Sequence, residues 1–421
     1  MSENIKSVVT CDLDGKIETF NDGAEALFGY SPDEVIGKQR VSLFSPGLIV
    51  LGNVGQWLKE ASEKGEWEGD TVFLNKNKEK IAAHIKITPT LKDGEQIGYC
   101  GVTTPLEGVD PASVEPKIKW TTKLFKWMVI TRAPFLRATI VPVLLGGAVT
   151  SLLGFPVDLG VLGMTLLAAC LVQIGANTAN DYFDHTSGTD EATYDYIVPF
   201  SGGSRSIQMG LISPKGMLIT SLVTLALGGI IAIPLIIRAG MPVFYLGLIG
   251  VLSSFFYTAP PLRLAARKGL GELLVGLNFG PLVVAGSTLV QTGTIESMAL
   301  LVGVPAGLLT AAILWINQLP DYSGDKATGK DNLVVILGKA RARYGYVALV
   351  VGAFSMIVAM VVKGMIPMLS LITLLAVYLG VKAISTLFKH YDDRLLVSAN
   401  SGTINLHLIT GILLTIGIWA G

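Results

Sequence analysis

Two acidic clusters stand at the ends of apolar stretches. The first reads Asn180-Asp181-Tyr182-Phe183-Asp184, with Asp190 beyond it, and the second reads Asp321-Tyr322-Ser323-Gly324-Asp325. A carboxylate at a membrane boundary is unfavourable unless something neutralises it, and ionisable groups in such places mark functional sites by default. At helical spacing Asn180 and Asp184 share one face, Asp321 and Asp325 share another, and Asn317 extends the second face by a turn. Two such faces opposed would offer hard oxygen ligands to Mg2+, which takes a few carboxylates and completes its shell with substrate phosphate oxygens. One cluster alone reads as a polar cap on a helix. Two of matching geometry read as a divalent-cation clamp for a polyanion.

Cations accompany the clusters. Arg263 and Lys330 are candidates to neutralise diphosphate oxygens, and Arg132 and Arg137 sit at the mouth of the first apolar span. Arginine suits multidentate phosphate binding, whereas lysine supplies a point charge. Arg267 and Lys268 read instead as residues that hold a loop on one side of a membrane. Tyr182, Tyr257 and Trp315 are aromatics able to face a developing cation or, equally, to serve as interfacial anchors.

The elements that must position these residues are apolar helices. Of the 421 residues 51% are hydrophobic and 15% charged, and the mean hydropathy is +0.57. That composition excludes an average soluble protein and fits a polytopic membrane protein with a soluble appendage. From Pro134 onward nine apolar segments have the length of a bilayer span, at 134–155, 159–180, 214–236, 241–258, 271–290, 297–318, 343–363, 366–386 and 402–420. Basic residues favour the loops after the even-numbered spans, with Arg205, Lys215, Arg263, Lys326, Lys339 and Lys389 among them, whereas the other loops hold little beyond Arg238 and Lys363. The positive-inside rule therefore puts both acidic clusters on cytoplasmic loops of the cell inner membrane, after spans two and six.

Residues 1–110 read as a separate soluble domain. Ser7–Cys11 and Lys16–Phe20 are strand-like around the turn Asp12-Leu13-Asp14-Gly15, a short helix follows from Asn21-Asp22, and three more strands fall at 68–73, 81–89 and 96–103. The run from Asp12 through Asn21, Ala24, Leu27-Phe28-Gly29-Tyr30 to Glu34-Val35-Ile36-Gly37-Lys38 resembles the front half of a PAS sensor domain. No reactive cysteine sits in a flavin-photoreceptor motif, and the single histidine, His84, falls in an expected strand, so the ligand of this domain is left unknown. The opening residues are polar and alternating rather than a signal-peptide core, which keeps the domain in the cytoplasm. Residues 111–133 mix Lys117, Lys123 and Lys126 with Trp120, Phe125 and Trp127, as expected of an interfacial helix that joins the domains at the headgroup level. Cys11, Cys100 and Cys170 are too few and too scattered for a disulfide framework.

Residues 134–421 resemble the UbiA-type intramembrane prenyltransferases. The first motif of that family, Asn-Asp-x-x-Asp with a further Asp, corresponds to Asn180, Asp181, Asp184 and Asp190. The second corresponds to Asp321 and Asp325 with Gly329-Lys330 after it, and a Tyr-Thr-x-Pro-Pro-Leu-Arg loop runs from Tyr257 to Arg263. The resemblance implies an N-terminal α+β PAS domain followed by an all-α bundle of nine transmembrane helices. It also implies Mg2+-dependent transfer of a polyprenyl group from its diphosphate to an aromatic acceptor in the bilayer. Asp181, Asp184, Asp321 and Asp325 would hold metal. Asn180, Arg132, Arg263, Asn317 and Lys330 would bind substrate, Tyr257 would face the reacting centre, and Asp190 or Arg205 would position the acceptor. The six-residue gap from Asp184 to Asp190 and the run Gly202-Gly203-Ser204-Arg205 look like the 1,4-dihydroxy-2-naphthoate branch of menaquinone synthesis. Homogentisate, chlorophyllide and glycerolipid acceptors, or a membrane sensor that binds a prenyl lipid without catalysis, are the alternatives. Two positions depart from the pattern, Pro320 before Asp321 and Asp331-Asn332 where Arg-Thr is usual. Nothing points to nucleic acid, and the PAS domain is a candidate for homodimerisation.

Overall fold

Alternating burial in Ser7–Asp12 (β1) begins a five-stranded antiparallel sheet that continues through Ile17–Phe20 (β2), Trp67–Leu74 (β3), Lys80–Lys92 (β4) and Glu95–Pro105 (β5). The spatial order is β2-β1-β5-β4-β3, so the first strand pairs with both the second and the last. The structure, a computed structural model, describes residues 6–197 and 200–421. It divides into two units: Met1–Ile130 with Arg205–Ser213, and Thr131–Ser204 with Pro214–Gly421.

In the first unit, Asp22–Phe28 (α1) starts where Asn21 Oδ1 accepts from the Ala24 amide at 2.9 Å, and it stops at left-handed Gly29. That helix delivers Phe28 onto the sheet, where its ring stacks on Phe44 at 4.3 Å and meets Phe73 edge-on at 5.8 Å. Val9, Ile17, Phe20, Ala24 and Val35 close the same core. His84 faces Asp70 across the β3–β4 ladder, Nδ1 to Oδ1 2.7 Å, with its side chain 40% exposed. Gly55–Lys64 (α2) lays Trp57 on Trp67 at 4.4 Å. Trp120–Ile130 (α3) exposes Trp120, Leu124, Phe125, Trp127 and Met128, the composition of a helix that lies on an apolar boundary.

In the second unit, eight helices among the described residues are long and apolar enough to cross a membrane. They are Ala133–Leu152 (α4), Leu159–Thr186 (α5), Pro214–Ala239 (α6), Leu270–Thr292 (α8), Ser297–Ala327 (α9), Lys339–Val362 (α10), Met368–His390 (α11) and Arg394–Trp419 (α12). The remaining apolar segment forms a shorter helix, Met241–Phe255 (α7), 15 residues long. At about 1.5 Å per residue its length falls below the roughly 30 Å of a hydrocarbon core. It turns out at Phe256, where the Tyr257–Arg263 loop begins.

Helices α5 and α9 run further than their hydropathy implies. They continue to Thr186 and Ala327 and carry both acidic motifs in their last turns, with Pro320 accommodated inside α9. Hydropathy falls at the first carboxylate, but the backbone ladder does not stop there. Helix α9 is the most enclosed of the eight spans. It crosses α8 closely because Gly276, Gly280, Gly303 and Gly307 face one another; a Cβ on Gly307 would run into the Gly276 carbonyl. Within α8 the ladder widens over Asn278–Leu282, next to Pro281, in a π-type turn of the sort that concentrates at functional sites.

Candidate active site

The two acidic motifs meet. Lys330, just past the end of α9, places its Nζ 3.4 Å from Asp184 Oδ2 of α5 and 3.6 Å from Asp325 Oδ1 of α9. Asp325 is buried, and its Oδ2 accepts from Asn332 Nδ2 at 2.7 Å. Asn332 in turn caps the short helix Leu333–Leu337 by accepting from the Val335 amide at 2.8 Å. Burial alone would lower the Lys330 ammonium, but the Asp184 and Asp325 carboxylates outweigh it and hold it well above the ordinary lysine range.

Asp181 sits on the deeper side of α5, also buried. Arg132 Nη1 lies 3.7 Å from Asp181 Oδ1 and donates to Asn180 Oδ1 at 3.4 Å. The backbone of 202–204 closes over the carboxylates: the Gly202 amide donates to Asp321 Oδ2 and the Ser204 amide to Asp181 Oδ1, both at 3.2 Å. Gly203 is needed there twice over. Its φ is +72°, and a Cβ would press against Asp181 Oδ1 and Asp190. Asp181 Oδ2 is buried with no hydrogen-bond partner. Among the described residues no group of three or more His, Cys, Asp or Glu side chains is close enough to hold a metal ion alone.

A cavity of about 220 Å³ opens beneath these carboxylates, and Asn180, Asp184, Asn317, Asp321, Asp325 and Lys330 line it together with Arg132, Arg137 and Tyr257. Its walls are Phe135, Leu274, Val275, Ile313, Leu314 and Ile404, with Asn278 and Phe279 supplied by the π-type turn of α8. Burial above all pushes the Tyr257 phenol up beyond the ordinary tyrosine range, although Lys330 opposes the shift, so the ring meets the cavity as a neutral donor.

Other expected residues lie elsewhere. Arg263 stands on the loop after α7, outside the cavity lining, and Arg205 belongs to the segment that groups with the N-terminal unit. Asp190 is buried in the short helix Thr189–Ala192, against Gly203 rather than in the cavity wall. Trp315 is turned away from the cavity and donates Nε1–H to the Ala342 carbonyl of α10 at 2.8 Å. Sequence reasoning missed Asn332, Gln173, Thr310, Gln318 and His407, of which all but Asn332 line the cavity. Asn332 had a signal, as a departure from the usual Arg-Thr. The others sit inside apolar runs where one polar residue carries no motif.

A bundle of membrane-length helices with two acidic motifs converging on one internal cavity has the build of an intramembrane enzyme. The UbiA prenyltransferase family profile matches residues 139–408, and the chain belongs to that family and is a prenyltransferase. A PAS-domain profile matches residues 6–103. The 1,4-dihydroxy-2-naphthoate octaprenyltransferase of Bacillus subtilis is 28% identical over 290 residues, 69% of this chain and 90% of that protein. The enzyme of the same name from Escherichia coli is 31% identical over 262 residues, 61% of this chain and 83% of its own length. A UbiA homolog from Archaeoglobus fulgidus, solved bound to DMAPP and Mg2+, shares the fold with a TM-score of 0.54 and 17% identity, covering 70% of this chain and 99% of that one.

Proposed function

We propose that this protein transfers a polyprenyl group from its diphosphate to 1,4-dihydroxy-2-naphthoate, the prenylation of menaquinone synthesis. The observation that carries the reading is the Lys330 ammonium set between Asp184 and Asp325, which draws the two motifs to one point at the cavity mouth. The names of the Bacillus and Escherichia relatives supply the acceptor.

The donor set fits Mg2+. Asp181, Asp184, Asp321 and Asp325 offer hard oxygens from two helices, Asp181 Oδ2 is buried without a partner, and phosphate oxygens would complete the shell. Bound there, the ion would neutralise charge on the diphosphate as it leaves. Lys330 and Arg132 add fixed positive charge at the same mouth, and such preorganised charge in a water-poor site favours the leaving group. The allylic C–O bond breaks with its electron pair on diphosphate. The acceptor ring carbon forms the new C–C bond, and the carboxylate on that carbon leaves as CO2, returning its pair to the ring. Asn180 and Asn317 orient the substrate oxygens, Tyr257 presents a neutral phenol and its π-face, and the walls from Phe135 to Ile404 exclude water from the cation.

Within the same reading α7 is the ninth span, the acidic mouth faces the cytoplasm of the inner membrane, and the PAS domain regulates or dimerises the transferase. Support for regulation lies in the chain path: the backbone that donates to Asp321 and Asp181 at Gly202 and Ser204 passes directly into Arg205–Ser213, which groups with the sensor unit. Deleting residues 1–110 should change activity, its response to redox state, or oligomeric state; no change in any of these removes the regulatory part. The reaction itself is tested with membranes, one labelled prenyl diphosphate, and a panel of naphthoate, homogentisate, chlorophyllide and glycerolipid acceptors, with and without EDTA. Product with the naphthoate alone, lost in EDTA, is expected. Product with another acceptor, or none, sinks the assignment.

A further inference from the structure

We propose that His407 is the residue that recognises the acceptor, by hydrogen-bonding a ring oxygen of a hydroxylated aromatic at the floor of the cavity. The inference rests on the prenyl-transfer reading and goes beyond it by naming where and how the acceptor is read.

Three helices around the cavity repeat one spacing. Helix α5 carries Gln173 and Asn180, α9 carries Thr310 and Asn317, and α12 carries Asn400 and His407, each pair two helical turns apart. The upper members of α9 and α12 are tied together, because Asn400 Nδ2 donates to Asn317 Oδ1 at 2.7 Å. Helix α12 runs away from the acidic mouth where α5 and α9 run toward it. The lower members, Gln173, Thr310 and His407, therefore form a second polar layer about 10 Å deeper at 1.5 Å per residue, and all three line the cavity.

The layer is satisfied at two of its three members. Gln173 accepts from Thr139 Oγ1 at 2.5 Å and donates to the Phe135 carbonyl at 2.9 Å, while Thr310 donates to the Ala306 carbonyl at 2.9 Å. His407 is different. It is 1% exposed, and its Nε2 has no hydrogen-bond partner. Nearer the mouth, one turn before Asp321, the buried Gln318 also leaves its Oε1 without a partner in the same cavity.

A buried imidazole nitrogen with no partner selects what may cover it. The prenyl tail has no polar atom to offer and would leave the nitrogen unsatisfied. The diphosphate has its cations and carboxylates at the other end. The remaining substrate is an aromatic with oxygens on its ring, which places one oxygen at His407 Nε2, turns another toward Gln318 Oε1 as a donor, and leaves the ring between apolar walls. A site built to bond a substrate oxygen discriminates against the analogue that lacks it, far more than an apolar pocket discriminates by size.

The test uses the full-length protein in detergent with 1,4-dihydroxy-2-naphthoate, a labelled prenyl diphosphate and Mg2+, comparing wild type with His407→Ala and His407→Gln. The acceptor KM should rise about tenfold or more in His407→Ala while the prenyl diphosphate KM stays within about twofold, and His407→Gln, which keeps a hydrogen-bonding amide, should recover part of the loss. As a competitor, 1-hydroxy-2-naphthoate should bind wild type more weakly than the dihydroxy compound and His407→Ala about equally. Both KM values moving together, or neither moving, overturns the role of His407 while product from wild type leaves prenyl transfer standing. Wild type that forms no product from this acceptor overturns both. Should His407→Ala not fold, as read by its thermal transition, the same KM split and competitor ratio are read in His407→Gln: an acceptor KM equal to wild type with unchanged discrimination overturns the proposal.

Discussion

The sheet domain fills its interior with hydrocarbon, Phe28 against Phe44 and Phe73, and keeps its histidine paired with Asp70 at the surface. The bundle buries Asp325 and His407 in the wall of a cavity that Lys330 also lines. Both arrangements follow from the same cost of burying polar groups. The first avoids that cost, and the second meets it with ion pairs and with atoms left for a ligand. A truncated interior side chain should therefore damage stability in one unit and chemistry in the other.

The largest effect is expected at the carboxylates. Asp184→Ala or Asp325→Ala should lower prenyl transfer by roughly 10³-fold or more, at least the loss seen when one preorganised electrostatic group is removed. The thermal transition of the detergent-solubilised protein should persist. Near-wild-type turnover would break the comparison at its stronger end. Next, Phe28→Ala should destabilise the sheet by about 3–5 kcal/mol, the usual loss for emptying a phenylalanine site. Hydrogen exchange of the β1 and β5 amides in the full chain reads this, and unchanged protection would mean that the aromatic cluster does not hold the sheet.

The smallest effect sharpens the picture of the closed interior. Burial, reinforced by Asp12, pushes the Cys11 thiol from 9.0 up to about 12. The folded state thus holds its proton more tightly than the unfolded chain. Stability is undiminished below pH 9 and falls as pH rises from there toward 12. Thiolate is the nucleophile, so at pH 8 Cys11 should be the slower of Cys11 and Cys100 to react with iodoacetamide, as peptide mass analysis of the native protein would show. Equal labelling would mean that the sheet interior opens to solvent.

The sheet strands and membrane-length helices were legible because apolar periodicity and length carry them. Asn21 announced the cap of α1, and of the four motif aspartates Asp184, Asp321 and Asp325 line the cavity whereas Asp181 lies outside its lining. Three kinds of information were not legible. Hydropathy falls at Asp181 and Asp321, which disguised the last turns of α5 and α9 as loops, although a helix needs only its backbone ladder to continue. Likewise Arg263 and Lys330 look alike in the sequence as loop cations, and only the chain path after α9 brings Lys330 between Asp184 and Asp325. His407 was invisible for a third reason: its meaning lies in two-turn offsets on three helices, one of them antiparallel to the other two, which no single segment displays.

Lys330 and Arg132 rest against the carboxylates. The protein is its own counter-ion. On the proposed reading, an arriving diphosphate and its metal would take part in an exchange, in which the ammonium and the guanidinium would trade carboxylate for phosphate while the carboxylates would trade those cations for metal. Neither half of that exchange is favourable alone, since each would strand a charge in a poorly solvated place. On that reading the clamp would behave as a coincidence detector, closed to a lone cation or a lone anion and opened by the pair.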